Sequence, residues 1–228
     1  MAVLYVVGTP IGNLEDISLR ALRVLKEVDV VLCEDTRVTR KLLDRYEIKT
    51  KTMSYHQQSS DTKIEGIKEL LREGKNLALV TDAGTPGISD PGSYLVDQLH
   101  KSFTSDELSV VAVPGPSAVA AALSISGMPS SDFLFLGFLP HKKGRPTLFC
   151  AIAASERTVV FYESPHRILK ALASLKEVLD KGREVAIGRE LTKIHEEVRR
   201  GTASELLDFY TLNQEKQRGE FVVLVAPK

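Results

Sequence analysis

The sequence has little of what the simplest functional readings need. Only two of its 228 residues are cysteine, Cys33 and Cys150, which excludes a disulfide framework in a chain this long. Both lie in or beside apolar runs, so buried free thiols in a reducing compartment are expected. No apolar run approaches the roughly 20 residues that span a bilayer. The opening MAVLYVVGTP has no basic segment, and its short apolar run is cut by Gly8 and Pro10. It reads as a first strand rather than a signal peptide, and a soluble, cytoplasmic protein is expected. Lys+Arg and Asp+Glu each number 30. With zero net charge there is no global field to draw in nucleic acid, and a polyanion has to be met by local patches. The five histidines form no HxH, HExxH or Cys/His cluster, so no metal is expected.

What is present is a βα alternation. AVLYVV (2–7) reads as a strand, and SLRALRVLKEV (18–28) as a helix with one apolar face behind a Ser18 cap. VVLCED (30–35) is a strand, 39–46 and 64–74 are helices, NLALVTD is a strand, 93–103 a helix and 108–114 a strand. This pattern predicts a largely parallel sheet covered on both faces. Pro114-Gly115-Pro116 breaks it, and a small-residue helix (117–126) follows. The strands FLFLGFLP, RTVVFYE, REVAIGRE and EFVVLVAP, with helices at 165–180 and 203–213, make the second half look different and antiparallel in part. The expectation is two α/β domains, 1–114 and 117–228, with a hinge between them.

Three Gly/Pro-rich segments each follow an apolar strand: GTPIGN (8–13), TDAGTPGISDPG (81–92) and PGPSA (114–118). In an α/β sheet the ligand crevice lies outside the carboxyl ends of the strands. Glycine and proline there fix turns and let backbone approach a ligand. Any one such loop could be a plain tight turn; three together point to a ligand site. Residues 1–19, 76–100 and 102–141 contain no Lys or Arg, while Asp82, Asp90 and Asp97 lie in the second stretch. Neither GxxxxGK[ST] nor a helix-opening GxGxxG occurs, so a phosphate cradle of the usual kind is missing. An acid-edged crevice without cations suits a neutral or cationic ligand. S-adenosylmethionine, with an amino group, a sulfonium and no phosphate, fits.

With these three loops, CEDTR (33–37), GFLP (137–140), FYESPHR (161–167) and RELTK (189–193) occur in one order along the chain. The chain resembles the tetrapyrrole methylase superfamily of S-adenosylmethionine-dependent methyltransferases over residues 4–225. Within it, the chain is similar to the ribosomal RNA small subunit methyltransferase I family, whose members methylate a cytidine 2′-hydroxyl in the decoding region. The resemblance implies two α/β domains with the cofactor in the cleft between them, and a homodimer. It also implies cofactor contacts at Ile11, at Asp82, Ala83, Gly84 and Thr85, along the same loop at Ile88 and Asp90, and at Ser117 and Ala118. Strand order alone adds Tyr162 and Phe221. One departure is that many relatives continue into a helical tail, whereas this chain ends at Lys228.

Methyl transfer to a ribose hydroxyl requires the oxygen to be held in line with the methyl carbon, and positioning of that kind supplies roughly 7–11 kcal/mol. It also requires a base within hydrogen-bond reach. Glu34, Asp35 and Arg37 should face the crevice; alternatively Asp35 caps a helix and Arg37 pairs with Glu34. His166 and Arg167, placed beside Pro165 in a first helical turn, oppose the helix dipole, and an RNA phosphate would compensate. Arg189, Glu190, Lys193 and Glu197 are either a solvated run or substrate contacts, with Lys193 the candidate base if burial strips its proton. His195 reads as a bystander. Lys142, Lys143 and Arg145 form the one compact basic loop, a backbone-phosphate contact or a soluble turn. The expected partner is small-subunit ribosomal RNA. The rivals are a methylase of a tetrapyrrole or other small molecule, and a non-catalytic module that keeps the cofactor cleft.

Overall fold

β1 (Ala2–Val7) is the pivot of the first sheet in the computed structural model, which describes residues 1–56 and 61–228. It pairs in parallel with β4 (Leu77–Leu79) on one side and β5 (Leu108–Val113) on the other. β2 (Val30–Cys33) lies parallel to β4, and β3 (Lys51–Ser54) parallel to β2 at the edge. The order is β3-β2-β4-β1-β5. All four residues of β2 and all three of β4 are buried, which is why these runs are continuously apolar: a parallel strand is covered on both faces. Helices α1 (Leu19–Glu27), α2 (Thr36–Arg45), α3 (Asp61–Arg72) and α4 (Gly92–His100) supply that cover. Ser18 caps α1 through its hydroxyl, as expected, and Asp35 caps α2. The second helix therefore starts at Thr36, three residues before the apolar periodicity alone suggests.

The chain divides into two compact units, Met1–Ser117 and Ala118–Lys228. The second holds α5 (Ala118–Ser126), β6 (Phe133–Phe138), α6 (Arg145–Ala154), β7 (Thr158–Glu163), α7 (Ile168–Val178), β8 (Glu184–Arg189), β9 (Glu197–Thr202), α8 (Ala203–Leu212) and β10 (Phe221–Val225). Its sheet runs β6-β7-β10-β8-β9. Only β6 and β7 are parallel, and the remaining pairs are antiparallel, so the mixed character expected from sequence is present. The α/β class with two sheets holds. Two edge strands escaped the sequence reading. β3 and β9 are half-buried and largely polar, without the apolar run that marks the inner strands. Cys33 is buried as expected, but Cys150 is exposed on α6, because that helix turns only Phe149 and Ile152 fully inward.

A carboxylate organises one edge of this second sheet. Glu163, at the end of β7, is 1% exposed. It accepts from Arg145 Nη2 at 2.9 Å and from Arg167 Nε at 2.8 Å, and both guanidiniums are themselves largely covered. The Ser164 N–H completes its set at 2.8 Å. This corrects the expectation for FYESPHR and HKKGR. α7 begins only at Ile168, and Arg167 sits at its cap with non-helical backbone. The charge compensation that an RNA phosphate was expected to bring is supplied internally. Breaking a buried ion pair by removing one partner typically costs about 3–5 kcal/mol. Glu163→Gln should therefore lower the unfolding free energy by about 3 kcal/mol in a urea titration. A loss below about 0.5 kcal/mol, the size of an ordinary surface change, would show that the arginines do not depend on it.

Candidate functional site

Parallel strands send all their carboxyl ends to one edge, and β2, β4, β1 and β5 are adjacent there. The loops after β1, β4 and β5 therefore meet, and they lock together through backbone. A Cβ placed on Gly8 would lie 2.7 Å from the Gly115 Cα, and one on Gly115 would lie 2.7 Å from the Gly8 carbonyl oxygen. No side chain fits at either position. Thr9 N–H donates to Gly84 O at 2.9 Å and Gly84 N–H to Thr9 O at 3.2 Å. The buried Thr9 hydroxyl donates to Thr81 O at 3.1 Å, and Thr85 Oγ1 donates to Pro116 O at 3.1 Å. Gly84 and Gly87 have φ of +88° and +87°, and Ser89 joins them at +63°, so the middle loop is forced through left-handed conformations that glycine adopts freely. Ile11, 8% exposed, leans on Gly84: its Cγ2 would be 3.2 Å from a Cβ there.

The structure separates the two aspartates that the sequence left equivalent. Asp90 spends both oxygens on its own loop, accepting from Ile88 N–H at 3.1 Å and Gly92 N–H at 2.7 Å. Among the described residues Asp82 uses only Oδ1, for the Asp35 N–H at 3.1 Å; it is exposed, as are Ala83 and Ile88. Asp82 is the carboxylate with capacity to spare for a cation. Beside it, Glu34 accepts from Thr81 Oγ1 at 3.2 Å. Burial pushes the Glu34 carboxyl up, and the charges of Asp82 and Asp90 push the same way, against the Thr81 hydrogen bond. Asp35 behaves oppositely. Hydrogen bonds from Arg37 hold it down to about 2, and Arg37 pairs with Asp35 at 2.6 Å, not with Glu34. A carboxylate that acidic is a poor proton acceptor near neutrality, so Asp35 is a cap and an anchor for Arg37.

In the second unit, RELTK ties the end of β8 to the start of β10. Arg189, 8% exposed, donates to Arg218 O at 2.8 Å and His195 O at 3.2 Å. Glu190 accepts from Lys193 Nζ at 2.9 Å and Glu220 N–H at 2.9 Å. Burial alone would draw the Lys193 pKa down, but the hydrogen bonds to Glu190 and Glu220 outweigh it and the net shift is upward. The two carboxylates favour the charged form of Lys193, which counts against the expectation that burial makes it a base. Phe221 is 2% exposed, with its ring 5.8 Å from Tyr210 in the core, on a strand paired on both sides. Tyr162 is half-buried between Phe135 and Phe138. Ser117 ends the first unit and Ala118 opens the second, both partly exposed. Lys142, Lys143 and His166 are exposed. Thr9, Thr81 and Glu163 were missed by sequence reasoning: each is an ordinary polar residue at a strand end, and only the fold reveals its partner.

The first-unit loops fit S-adenosylmethionine on the chemistry of their groups. Glu34 and Asp82 supply negative charge, no Lys or Arg lies in the three loops, and glycine-only contacts bring the three loops together. Among the described residues no group of three or more His, Cys, Asp or Glu is placed to hold a metal.

Comparison with known proteins agrees with this geometry. The family model described as Tetrapyrrole (Corrin/Porphyrin) Methylases matches residues 3–207. A Thermotoga maritima protein named Ribosomal RNA small subunit methyltransferase I is 45% identical over 228 residues, covering 100% of both chains. A Bacillus subtilis protein of the same name is 45% identical over 226 residues, 99% of this chain and 75% of its own length. Among solved structures, cobalt precorrin-4 methyltransferase, a cobalamin biosynthetic enzyme, gives a TM-score of 0.69 at 18% identity, covering 98% of this chain and 94% of the other. Uroporphyrin-III-C-methyltransferase from Thermus thermophilus gives 0.67 at 21%, with the same coverage. At such identities the structural likeness speaks to fold.

The loop lock has a direct test. Overpacking a close contact costs typically 1–3 kcal/mol, so Gly115→Ala should destabilise the protein by about 2 kcal/mol. It should also weaken S-adenosylmethionine binding by calorimetry at temperatures where the variant is still folded. Wild-type affinity in a folded Gly115→Ala protein would mean that the contact does not shape the site.

Proposed function

The chain belongs to the tetrapyrrole methylase family, and we propose that it methylates the 2′-hydroxyl of a cytidine in the decoding region of small-subunit ribosomal RNA. It is a methyltransferase that uses S-adenosylmethionine as methyl donor. The observation that carries the ribosomal reading is the full-length likeness to proteins named Ribosomal RNA small subunit methyltransferase I. We further propose a homodimer in the cytoplasm, where the ribosomal subunits are. No helix among the described residues is long and apolar enough to cross a membrane.

In this reading the three locked loops hold the cofactor, with Ile11, Gly84 and Thr85 shaping the seat, and Asp82 facing its cationic end. When bound, S-adenosylmethionine supplies an electrophilic methyl group. The residues of the chain have two tasks around it: to hold the ribose oxygen and to take its proton. Glu34 is the candidate base, since its raised pKa makes it a better proton acceptor than Asp35. Thr81 orients its Oε2. Lys193, held as a cation, suits an anion of the RNA, and Lys142, Lys143 and the exposed Arg37 suit phosphates. Arg145, Arg167 and Arg189 are spent on Glu163 and on backbone carbonyls and serve by fixing loops.

Purified protein incubated with labelled S-adenosylmethionine and unmethylated small subunits should label one ribose, located by nuclease digestion and mass analysis. Label on a base, or on no RNA while a small tetrapyrrole accepts it, would overturn the reading. Glu34→Gln should cut kcat roughly 10²- to 10⁴-fold, the usual contribution of a general base, with a much smaller loss of cofactor binding from the removed charge. The wild-type rate should rise with pH through the Glu34 pKa, which lies above the ordinary carboxylate value, because only the deprotonated form accepts a proton. A Glu34→Gln enzyme with the same acid limb would exclude Glu34, and loss of all turnover in Lys193→Ala with cofactor binding intact would return the role to Lys193.

A further inference from the structure

Phe138 has no part in the machinery above, yet its position is built. It ends β6, the edge strand of the second sheet, and is 58% exposed. Three local features aim it outward. The β6–β7 register slips between Phe135 and Phe138, with Gly137 at φ +60°, and an irregularity of this kind redirects the side chain that follows. Its ring is supported from one side: the Tyr162 ring lies 5.3 Å away at 59°, and Tyr162 is braced edge-on by Phe135 at 5.0 Å. The next two carbonyls are pinned, Leu139 O by Arg167 Nη1 at 2.9 Å and Pro140 O by Arg145 Nη1 at 3.1 Å. Both arginines are held by the buried Glu163. Just beyond the pinned carbonyls stand Lys142 and Lys143, exposed and, among the described residues, without an ion pair.

Resting on the RNA reading above, we propose that Phe138 is a base-stacking platform, and that Lys142 and Lys143 take the neighbouring phosphates, so that this edge of the second unit docks a single-stranded stretch of the RNA substrate. An aromatic face beside a basic track is how proteins hold unpaired nucleotides, since every base offers a π-face while the cations follow the backbone. The rival occupant of an exposed aromatic edge is a second copy of the chain. Lys142 and Lys143, four and five residues on from Phe138 and without an ion pair among the described residues, favour the polyanion, because two like-charged loops repel.

Phe138→Ala and a Lys142→Ala/Lys143→Ala double variant change exposed side chains and should fold. Each is compared with wild type for binding to a single-stranded RNA oligonucleotide and to unmethylated small subunits across a salt series, for methyl incorporation, and for mass in solution. Phe138→Ala should weaken RNA binding roughly tenfold with its salt dependence unchanged, as expected for a lost stacking contact. The lysine variant should flatten the log–log salt slope by about 1.4, two phosphates at roughly 0.7 each. Both should keep near-wild-type affinity for S-adenosylmethionine. RNA affinity and salt slope unchanged in both variants would overturn the proposal, as would conversion of a dimer to a monomer by Phe138→Ala with RNA binding falling only in step. If wild type methylates subunits while the variants bind RNA normally, the docking surface fails and the activity stands. If wild type methylates no RNA while Phe138→Ala still weakens binding, the surface stands and the activity reading fails.

Discussion

Two glycines that touch decide the first half of this molecule. Gly8 and Gly115 approach until a Cβ on either would collide with backbone of the other, and that proximity brings the loop after β1 against the loop after β5. The Thr9–Gly84 pair of hydrogen bonds then draws in the loop after β4. Three segments distant in sequence are held together at one edge of the sheet. Because the strands are parallel, this happens at the edge where Glu34 and Asp82 also emerge. The proposed cofactor seat is thus a property of backbone, and its charge is set by two carboxylates and by the lack of Lys and Arg in the three loops.

The second unit works with side chains instead. Glu163 is buried with two arginines, an arrangement that costs desolvation and does not favour the fold over an apolar packing by itself. What it provides is placement: both arginines reach on to carbonyls in the turn after β6. The same edge of the sheet carries the Arg189–Glu190–Lys193 cluster, again with its charges satisfied within the unit. Of the cations expected to meet RNA, Arg145 and Arg167 are tied to the buried Glu163 and serve as scaffolding, whereas Lys142 and Lys143 are exposed and, among the described residues, without an ion pair.

The sequence made the inner strands legible because each is a continuous apolar run, and the outer strands β3 and β9 illegible because half-buried polar strands lack that signal. The three glycine-rich loops stood out as a candidate ligand site because three of them follow strands in the first half of the chain. Which residue does what was not legible. Asp82 and Asp90 look alike until the structure shows Asp90 occupied by Ile88 and Gly92. Lys193 read as a candidate base from its neighbours in sequence, but Glu220, 27 residues away, keeps it charged. Arg145 and Arg167 read as phosphate ligands because nothing local says that a glutamate in a β-strand lies beneath both. Pairing decides protonation and availability, and where the partner is distant, as Glu220 is from Lys193 and Glu163 from Arg145, no local pattern carries it.

The most direct test of the locked-loop seat is amide hydrogen exchange of the intact chain with and without S-adenosylhomocysteine, the methyl-transfer product. Amides in 8–13, 81–92 and 114–118 should slow together on binding, as one surface closed by one ligand. Protection elsewhere, with these three segments exchanging as fast as in the free protein, would contradict it.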